Sequence, residues 1–304
     1  MKETAVLISL CISLAIILGG FRSAQAQQLE PRAYSPSPVG ANFLGLGYIY
    51  SYGGAALNPD LPVTNVYARV NTAVPYYGRT FDLYGRQASV TVMMSYAWYT
   101  VHGDVFDVGK SINRTGFGDP AMRLAANLMG GPALTPLEFR RHKPETTLGT
   151  SLTVIAPFGQ YDPSKIINLG TNRWSFKPEL GLSQPIGDWF FELYAGVWLF
   201  TDNDNYFGGQ VKRQDPLIAY QAHIVYNVRP RFWAAFDFTY YSGGSTTVNG
   251  KRNNDRQDNT RAGLTISIPM THSQSLKLTW ARGVSTRIGT SFDTLGVGWQ
   301  LLWF

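Results

Sequence analysis

The sequence predicts an all-β chain: a single transmembrane antiparallel β-barrel of about twelve strands, of the bacterial outer-membrane type. Three observations carry that prediction. Apolar and polar residues alternate strictly over many separate stretches, so each stretch is a strand with one oily and one wet face. The connections between them switch between tight turns and long polar loops. The composition is 14 % aromatic but only 15 % charged, with a mean hydropathy of −0.11. A soluble domain carries about 25 % charged residues, and a helical membrane protein is far more apolar. Apolar residues dispersed one by one fit a wall with lipid on one side only.

The chain opens with Lys2, an apolar core over Ala5–Leu18 and the small-residue site Ala24-Gln25-Ala26. This reads as a secretory signal peptide over residues 1–26, the core being shorter than the roughly 20 residues of a spanning helix. Cys11, the single cysteine, lies inside that core, so the remaining chain has no disulfide and no thiol nucleophile. The formal charge is +6, or +5 without Lys2, Glu3 and Arg22, and no basic run marks a nucleic-acid partner. Residues 27–40 contain Pro31, Pro36 and Pro38, which suit neither a helix nor a central strand; they are expected to form an extended periplasmic tail, with 41–304 as the barrel.

Strands are expected near 41–53, 63–77, 86–100, 117–129, 144–157, 172–184, 189–201, 216–228, 231–242, 259–269, 274–284 and 291–304. In the tenth, Ala262, Leu264, Ile266 and Ile268 share one face and Arg261, Gly263, Thr265 and Ser267 the other. In the eighth, Ile218, Tyr220, Ala222, Ile224, Tyr226 and Val228 oppose Gln221, His223 and Asn227. Gly187-Asp188 and Arg229-Pro230 are tight turns, whereas 101–116, 158–171, 202–215 and 243–258 are long. The join 130–143 is long where a short one is expected, and the sequence offers no reason for it. An oily strand face in lipid requires every backbone polar group to be paired, which a strand achieves only in a closed barrel. A soluble β-sandwich has similar strand spacing. Against it stand Tyr48, Tyr50, Tyr52, Tyr96, Trp98, Trp189, Trp280, Trp299 and Trp303 at strand ends, where interfacial girdles lie.

The runs Ala156-Pro157-Phe158-Gly159-Gln160-Tyr161-Asp162, Asn168-Leu169-Gly170-Thr171-Asn172-Arg173-Trp174 and Phe176-Lys177-Pro178-Glu179-Leu180-Gly181 resemble a family of outer-membrane proteins named for the meta-pathway of phenol degradation. Gly116-Phe117-Gly118-Asp119-Pro120, Asp202-Asn203-Asp204, Tyr240-Tyr241-Ser242-Gly243-Gly244 and Arg282-Gly283 are similar to it as well. The resemblance implies an outer-membrane barrel taking up aromatic or other apolar compounds; that substrate class rests on the resemblance alone.

If the oily rows face lipid, the wet rows face the lumen. That row includes Arg69, Arg123, Lys177, Glu179, Glu192, His223, Asp237, Arg261 and Lys277, with Asn65, Tyr67, Asn71, Gln87, Thr91, Ser95, Asn127, Gln221, Asn227 and Arg231. Such residues tune selectivity in a wet pore, or pair across the barrel and fill it. His223 raises an esterase reading, for which Ser183 and Asp237 are the neighbouring candidates; a hydrogen-bonded lumen imidazole is the plainer one. No metal-ligand spacing is visible, and Asp202–Asn205 lacks the glycine and distal glutamate of a calcium loop. The stretch 157–181 reads as a loop folded on the mouth, carrying Tyr161, Asp162, Arg173 and Trp174, where Arg173 is also a candidate ligand for lipopolysaccharide phosphate. The expectation is therefore a non-enzymatic, cofactor-free outer-membrane channel for passive uptake of small solutes. Its neighbours would be outer-membrane lipid and lipopolysaccharide; the rival class is a structural or lipid-binding barrel without transport.

Overall fold

The computed structural model describes residues 29–56, 63–105, 108–165 and 167–304; the expected signal peptide lies outside them. In chain order the elements are β1 (Asn42–Ala56), β2 (Val63–Leu83), β3 (Arg86–Met93), β4 (Tyr96–Val105), β5 (Val108–Phe117), β6 (Ala121–Met129) and the one-turn helix α1 (Pro136–Phe139). Then come β7 (Thr147–Ile155), β8 (Ser175–Ile186), β9 (Trp189–Phe200), β10 (Asn203–Tyr206), β11 (Gln210–Gln214), β12 (Leu217–Arg229) and β13 (Phe232–Gly243). The chain finishes with β14 (Thr246–Val248), β15 (Lys251–Arg252), β16 (Gln257–Pro269), β17 (Gln274–Thr286) and β18 (Gly289–Trp303).

Fourteen of these strands make one antiparallel sheet that closes on itself. β1 pairs with β18 from Asn42↔Trp303 to Ala56↔Gly289, and with β2 on its other side. Two wall strands are interrupted: β2 pairs with β3 along its C-terminal half and with β4 along its N-terminal half, while β3 continues to β6 and β4 to β5. Counting β3–β4 and β5–β6 as one strand each, the wall has twelve strands, as the alternation predicts. β5 meets only β4, and its free edge is taken by the loop 156–174: Gln160 donates its N–H to Phe117 O at 2.9 Å and Arg114 Nε donates to Ile167 O at 3.0 Å. The stretches 202–215 and 243–258, expected as plain loops, also hold β10, β11, β14 and β15, which form a second small sheet.

Burial is inverted relative to a soluble protein. Leu180, Leu182, Phe191, Leu193, Ile224, Phe236, Leu264, Leu295 and Val297 are exposed on the outer face, while Glu179, Glu192, Gln221, His223, Asp237 and Thr265 are buried on the inner one. Lipid covers the first set, and hydrogen bonds inside the barrel satisfy the second. Tyr48, Tyr96, Trp98 and Phe117 cluster on the outer face with ring centroids 5.0 to 6.3 Å apart, a segment of an interfacial girdle.

Two boundary readings need correction. Residues 29–41 are not an extended periplasmic tail; they run along the inner wall and leave through the end that carries the short turns. The join 130–143 has a visible task there. It bridges Arg86 at Pro132, and Gln87 and Ala133 exchange backbone bonds with Gly131 and Gly85. Leu134 O then accepts the N–H of Val39 at 2.9 Å, so the extra length pins the chain where it enters β1. Thr135 and Glu138 close the first turn of α1 with a reciprocal capping box.

Candidate functional site: the lumen

The antiparallel register sets inner-wall residues side by side in rows. One row runs Thr147, Ser183, Glu192, His223, Asp237 and Gly263 across β7, β8, β9, β12, β13 and β16. The next runs Gly149, Gly181, Tyr194, Gln221, Thr239 and Arg261. The N-terminal segment lies across these two rows. Leu29 sits over Gly263, where a Cβ on that glycine would come within 2.3 Å of its side chain. Glu30 N–H reaches Gln221 Oε1 at 3.3 Å, Arg32 N–H reaches Glu192 Oε2 at 2.7 Å, and Ala33 N–H reaches the Tyr194 hydroxyl at 3.2 Å. Arg32 Nη1 also donates to Asn227 Oδ1 at 2.6 Å, and its guanidinium lies 4.9 Å over the Phe190 ring.

Tyr34 is the anchor. Its ring lies flat on Gly149 and Gly181, each so close that a Cβ would stand 2.2 Å from a ring carbon. Tyr194 meets it edge-on at 5.1 Å and Arg123 lies 5.0 Å over its face. Its hydroxyl donates to Glu179 Oε1 and bonds Ser151 Oγ, both at 2.9 Å. No periodicity marks this residue in the sequence; the paired glycines opposite it were the only available signal.

The wall charges expected inside are placed as follows. Lys177 and Glu179 form a buried ion pair at 2.7 Å. His223 Nδ1 and Asp237 Oδ1 are 2.6 Å apart, and Asp237 Oδ2 accepts from Thr265 Oγ1 at 2.6 Å. Glu192 accepts from Ser183 at 3.1 Å and from the Tyr194 hydroxyl at 2.7 Å. Arg261 donates to Phe292 O at 3.1 Å, Arg123 faces the tail, and Lys277 stands 5.8 Å over the Trp233 ring with its side chain open to the lumen. The expectation fails for Arg69. Cross-strand partners share a face, and Arg69 pairs with Tyr52 and lies in one row with exposed Tyr67, on the outside. Asn65 and Asn71 go with it. This part of β2 extends past the girdle, so its outer face meets water, while Val66 and Ala68 turn inward against Val101, Ile167 and Phe292. Arg231 is also outside the lumen, in a turn, bonding Thr271 O.

His223 has an orienting carboxylate, but its Nε2 has no partner among the described residues, and the Ser183 hydroxyl is held by Glu192. The pair is therefore not assembled with a nucleophile.

The loop 156–174 lies towards the other end, along the edge of β5. Asp119, at the break between β5 and β6, accepts from Gly159 N–H at 2.9 Å, Thr171 N–H at 2.8 Å and Thr171 Oγ1 at 2.6 Å. One buried carboxylate thus grips both arms of the loop. Tyr161 accepts from Asn203 Nδ2 at 3.0 Å and donates to Asn205 O at 3.1 Å, so 202–205 is a structural strand edge rather than a solvated tip. Asp162 caps its own turn through Ser164 and Lys165, whose hydrogen bonds hold its carboxyl well below the ordinary carboxylate range. Arg173 points inward, 4.3 Å over the Phe200 ring and bonded to Gln214 Oε1, and is too buried to meet a lipopolysaccharide phosphate. Trp174 belongs to the outside instead, stacked on Phe176 and edge-on to exposed Phe158.

Above the tail the inner wall also carries apolar clusters beside its polar groups. Ile155, Trp198, Leu217, Ala219 and Tyr241 form one inward cluster with Phe200 beside it, and Val66, Ala68, Val101 and Phe292 form another. The buried Trp198 Nε1 has no acceptor among the described residues.

Comparison with known proteins places this geometry. A direct sequence search of curated proteins finds no match. The fold is similar to a COG4313 outer membrane channel from Pseudomonas putida F1, with a TM-score of 0.78 and 19 % identity over 91 % of this chain and 100 % of that one. It is similar more distantly to the transport unit of the autotransporter AIDA-I from Escherichia coli, with a TM-score of 0.52 and 10 % identity over 96 % and 97 % of the two chains. What these structures share with this chain is the fold, a closed antiparallel β-barrel of the outer-membrane type. The profile of the family described as "Putative MetA-pathway of phenol degradation" matches residues 52–300, and the chain belongs to that family of outer-membrane β-barrels.

Proposed function

We propose that the protein is a passive outer-membrane channel for small solutes of aromatic or otherwise apolar character. The observation that carries the reading is the two-toned inner wall. Towards the long loops the barrel presents Trp198, Phe200, Leu217, Tyr241, Val101 and Phe292; below them lies a belt of paired charges, and Phe190, Val225 and Ala235 line the end with the short turns. Ion-selective pores discriminate with rings of backbone carbonyls or charged side chains. Here a solute with an apolar body meets apolar surface at the mouth, and the free indole N–H of Trp198 offers it one hydrogen bond. Arg123, Lys177, Glu179, Glu192, His223, Asp237, Arg261 and Lys277 act as the selectivity lining below. The N-terminal segment narrows that region, and the loop with Tyr161, Asp162 and Arg173 forms the constriction above it.

The test is single-channel current in planar bilayers, with phenol or glucose added to one side. Phenol is expected to block the ion current transiently at concentrations where glucose does not. Absence of any current, both from the wild type and from a variant lacking residues 29–38, would reject the channel in favour of a structural or lipid-binding barrel. An esterase reading has one anchor, His223, and predicts ester hydrolysis abolished by His223→Ala; the proposed function predicts no hydrolysis by either protein.

A further inference from the structure

We propose that the outer rim of the barrel, at the end carrying the long loops, holds a binding site for the phosphate groups of a glycolipid headgroup in the outer leaflet. The site is an open cavity of about 450 Å³, lined by Arg252, Arg256, Arg287, Asn253, Asn254 and Asp258. It lies where the hairpin extension β14–β15 meets the turn between β17 and β18.

Its position follows from register. Asp258 pairs with Ser242, on the same side of the sheet as exposed Phe236 and Phe238, and Leu264 and Trp280 continue that face on β16 and β17. The cavity therefore opens on the outer side of the wall, beyond its apolar rows, and not over the pore. Lipid headgroups border the apolar rows on that side of the wall.

Its chemistry follows from charge. Arg252 is already tied to Asp215. Arg256 and Arg287 pair with no carboxylate among the described residues, although Asp258 lines the same cavity. Both are held in place by neutral groups. Arg287 Nη1 donates to Arg256 O at 2.6 Å and Nη2 to Asn254 Oδ1 at 2.8 Å, while Arg256 Nη2 donates to Ser242 Oγ at 3.0 Å. Each guanidinium is thus oriented while keeping N–H groups for a ligand. Two oriented forks with amide donors beside them suit a tetrahedral dianion, which each fork takes in bidentate fashion. Arg282, further along the same outer face, is by contrast neutralised by Asp293 at 2.7 Å, so the unspent charge is concentrated at the cavity.

The experiment is native mass spectrometry of the detergent-purified full chain, titrated with bisphosphorylated lipid A, with dephosphorylated lipid A, or with inorganic phosphate. The variants are Arg256→Gln/Arg287→Gln and, as a control elsewhere on the same rim, Arg213→Gln; unchanged thermal unfolding shows that each is folded. The expected result is affinity for bisphosphorylated lipid A at least tenfold weaker in the double variant and unchanged in Arg213→Gln. Equal binding by wild type and double variant would overturn the proposal. So would dephosphorylated lipid A binding the wild type as tightly as the phosphorylated form. Inorganic phosphate binding as tightly as lipid A would overturn the lipid assignment in favour of a soluble anion. None of these readouts depends on the channel conducting.

Discussion

Replacing Tyr34 by Ala is expected to release the N-terminal segment from the wall and raise conductance. Two losses add up. The ring is 3 % exposed on its glycine seat, and removing it forfeits about 2 kcal/mol of apolar burial. Its hydroxyl bonds a carboxylate at 2.9 Å, and such a bond contributes about 1.5–3 kcal/mol. Together these shift the docking equilibrium of the segment by roughly a thousandfold, since about 1.4 kcal/mol is a factor of ten. Tyr34→Phe keeps the ring, and Lys177 still pairs Glu179, so that variant is expected to shift docking only about tenfold. Gly181→Ala attacks the same contact from the wall, because its Cβ would stand 2.2 Å from the ring. The assay is single-channel current with open-time analysis, beside a thermal melt to show an intact barrel. Tyr34→Ala and Gly181→Ala should converge on long open states, with Tyr34→Phe between them and the wild type. Wild-type conductance in both Tyr34→Ala and Gly181→Ala would refute the idea that this segment narrows the passage.

The other predictions concern the mouth and the register. Asp119→Ala removes three hydrogen bonds from the arms of the loop 156–174 and is expected to weaken its docking by about 3 kcal/mol or more, exposing Lys165 and Arg173 to trypsin in the folded barrel. The Asp162 turn is expected to persist from pH 7 to pH 4. A depressed carboxyl contributes stability above its unfolded pKa, near 3.8, and loses it only as pH falls through the lower folded value, so Asp162 carboxyl shifts followed by NMR should move only below pH 3.8. Arg69→Ala should leave ion selectivity unchanged because the side chain is outside, whereas Lys277→Ala, which removes a positive charge from the lumen, should shift the reversal potential towards cations.

Strand existence was legible because β8, β9, β12, β13 and β16 each alternate an outward apolar row with an inward row that carries their polar residues. Alternation, however, separates two faces without saying which is outside. The assumption that the oily face meets lipid holds for Leu180 or Phe236 and fails for Val66 and Ala68, which lie beyond the lipid and pack on Ile167. A register argument through Tyr52 and Tyr48 on β1 settles the side, but that pairing is a non-local fact. The tail was illegible for a different reason. Its three prolines correctly exclude helix and central strand, yet its docking depends on what Gly149, Gly181 and Gly263 lack. Missing side chains leave no trace until the partner is in view. Asp119 was noticed as part of a motif, but its partners Gly159 and Thr171 lie 40 and 52 residues away.

Charge explains why the segment 29–34 fits this wall and would not fit a neutral one. Lys177 and Glu179 satisfy each other, and Asp237 is taken up by His223 and Thr265. That leaves Glu192 without a basic side chain in ion-pair contact, and Arg123 and Lys277 without a carboxylate in such contact, among the described residues. The segment answers both. Arg32 brings its N–H and its positive charge to Glu192, and the Glu30 carboxylate interacts with Lys177, Arg123, His223 and Lys277. Each of these charges would be costly to leave alone in a low-dielectric interior, so the segment is bound by what the wall lacks. Because the two tail charges cancel, withdrawal alters the net charge of the lumen little while leaving Arg123 and Lys277 uncovered opposite Glu192. The open barrel therefore gains a charged waist beneath its apolar mouth, and a solute with an apolar body and one polar group matches that order of surfaces better than a uniformly polar one does.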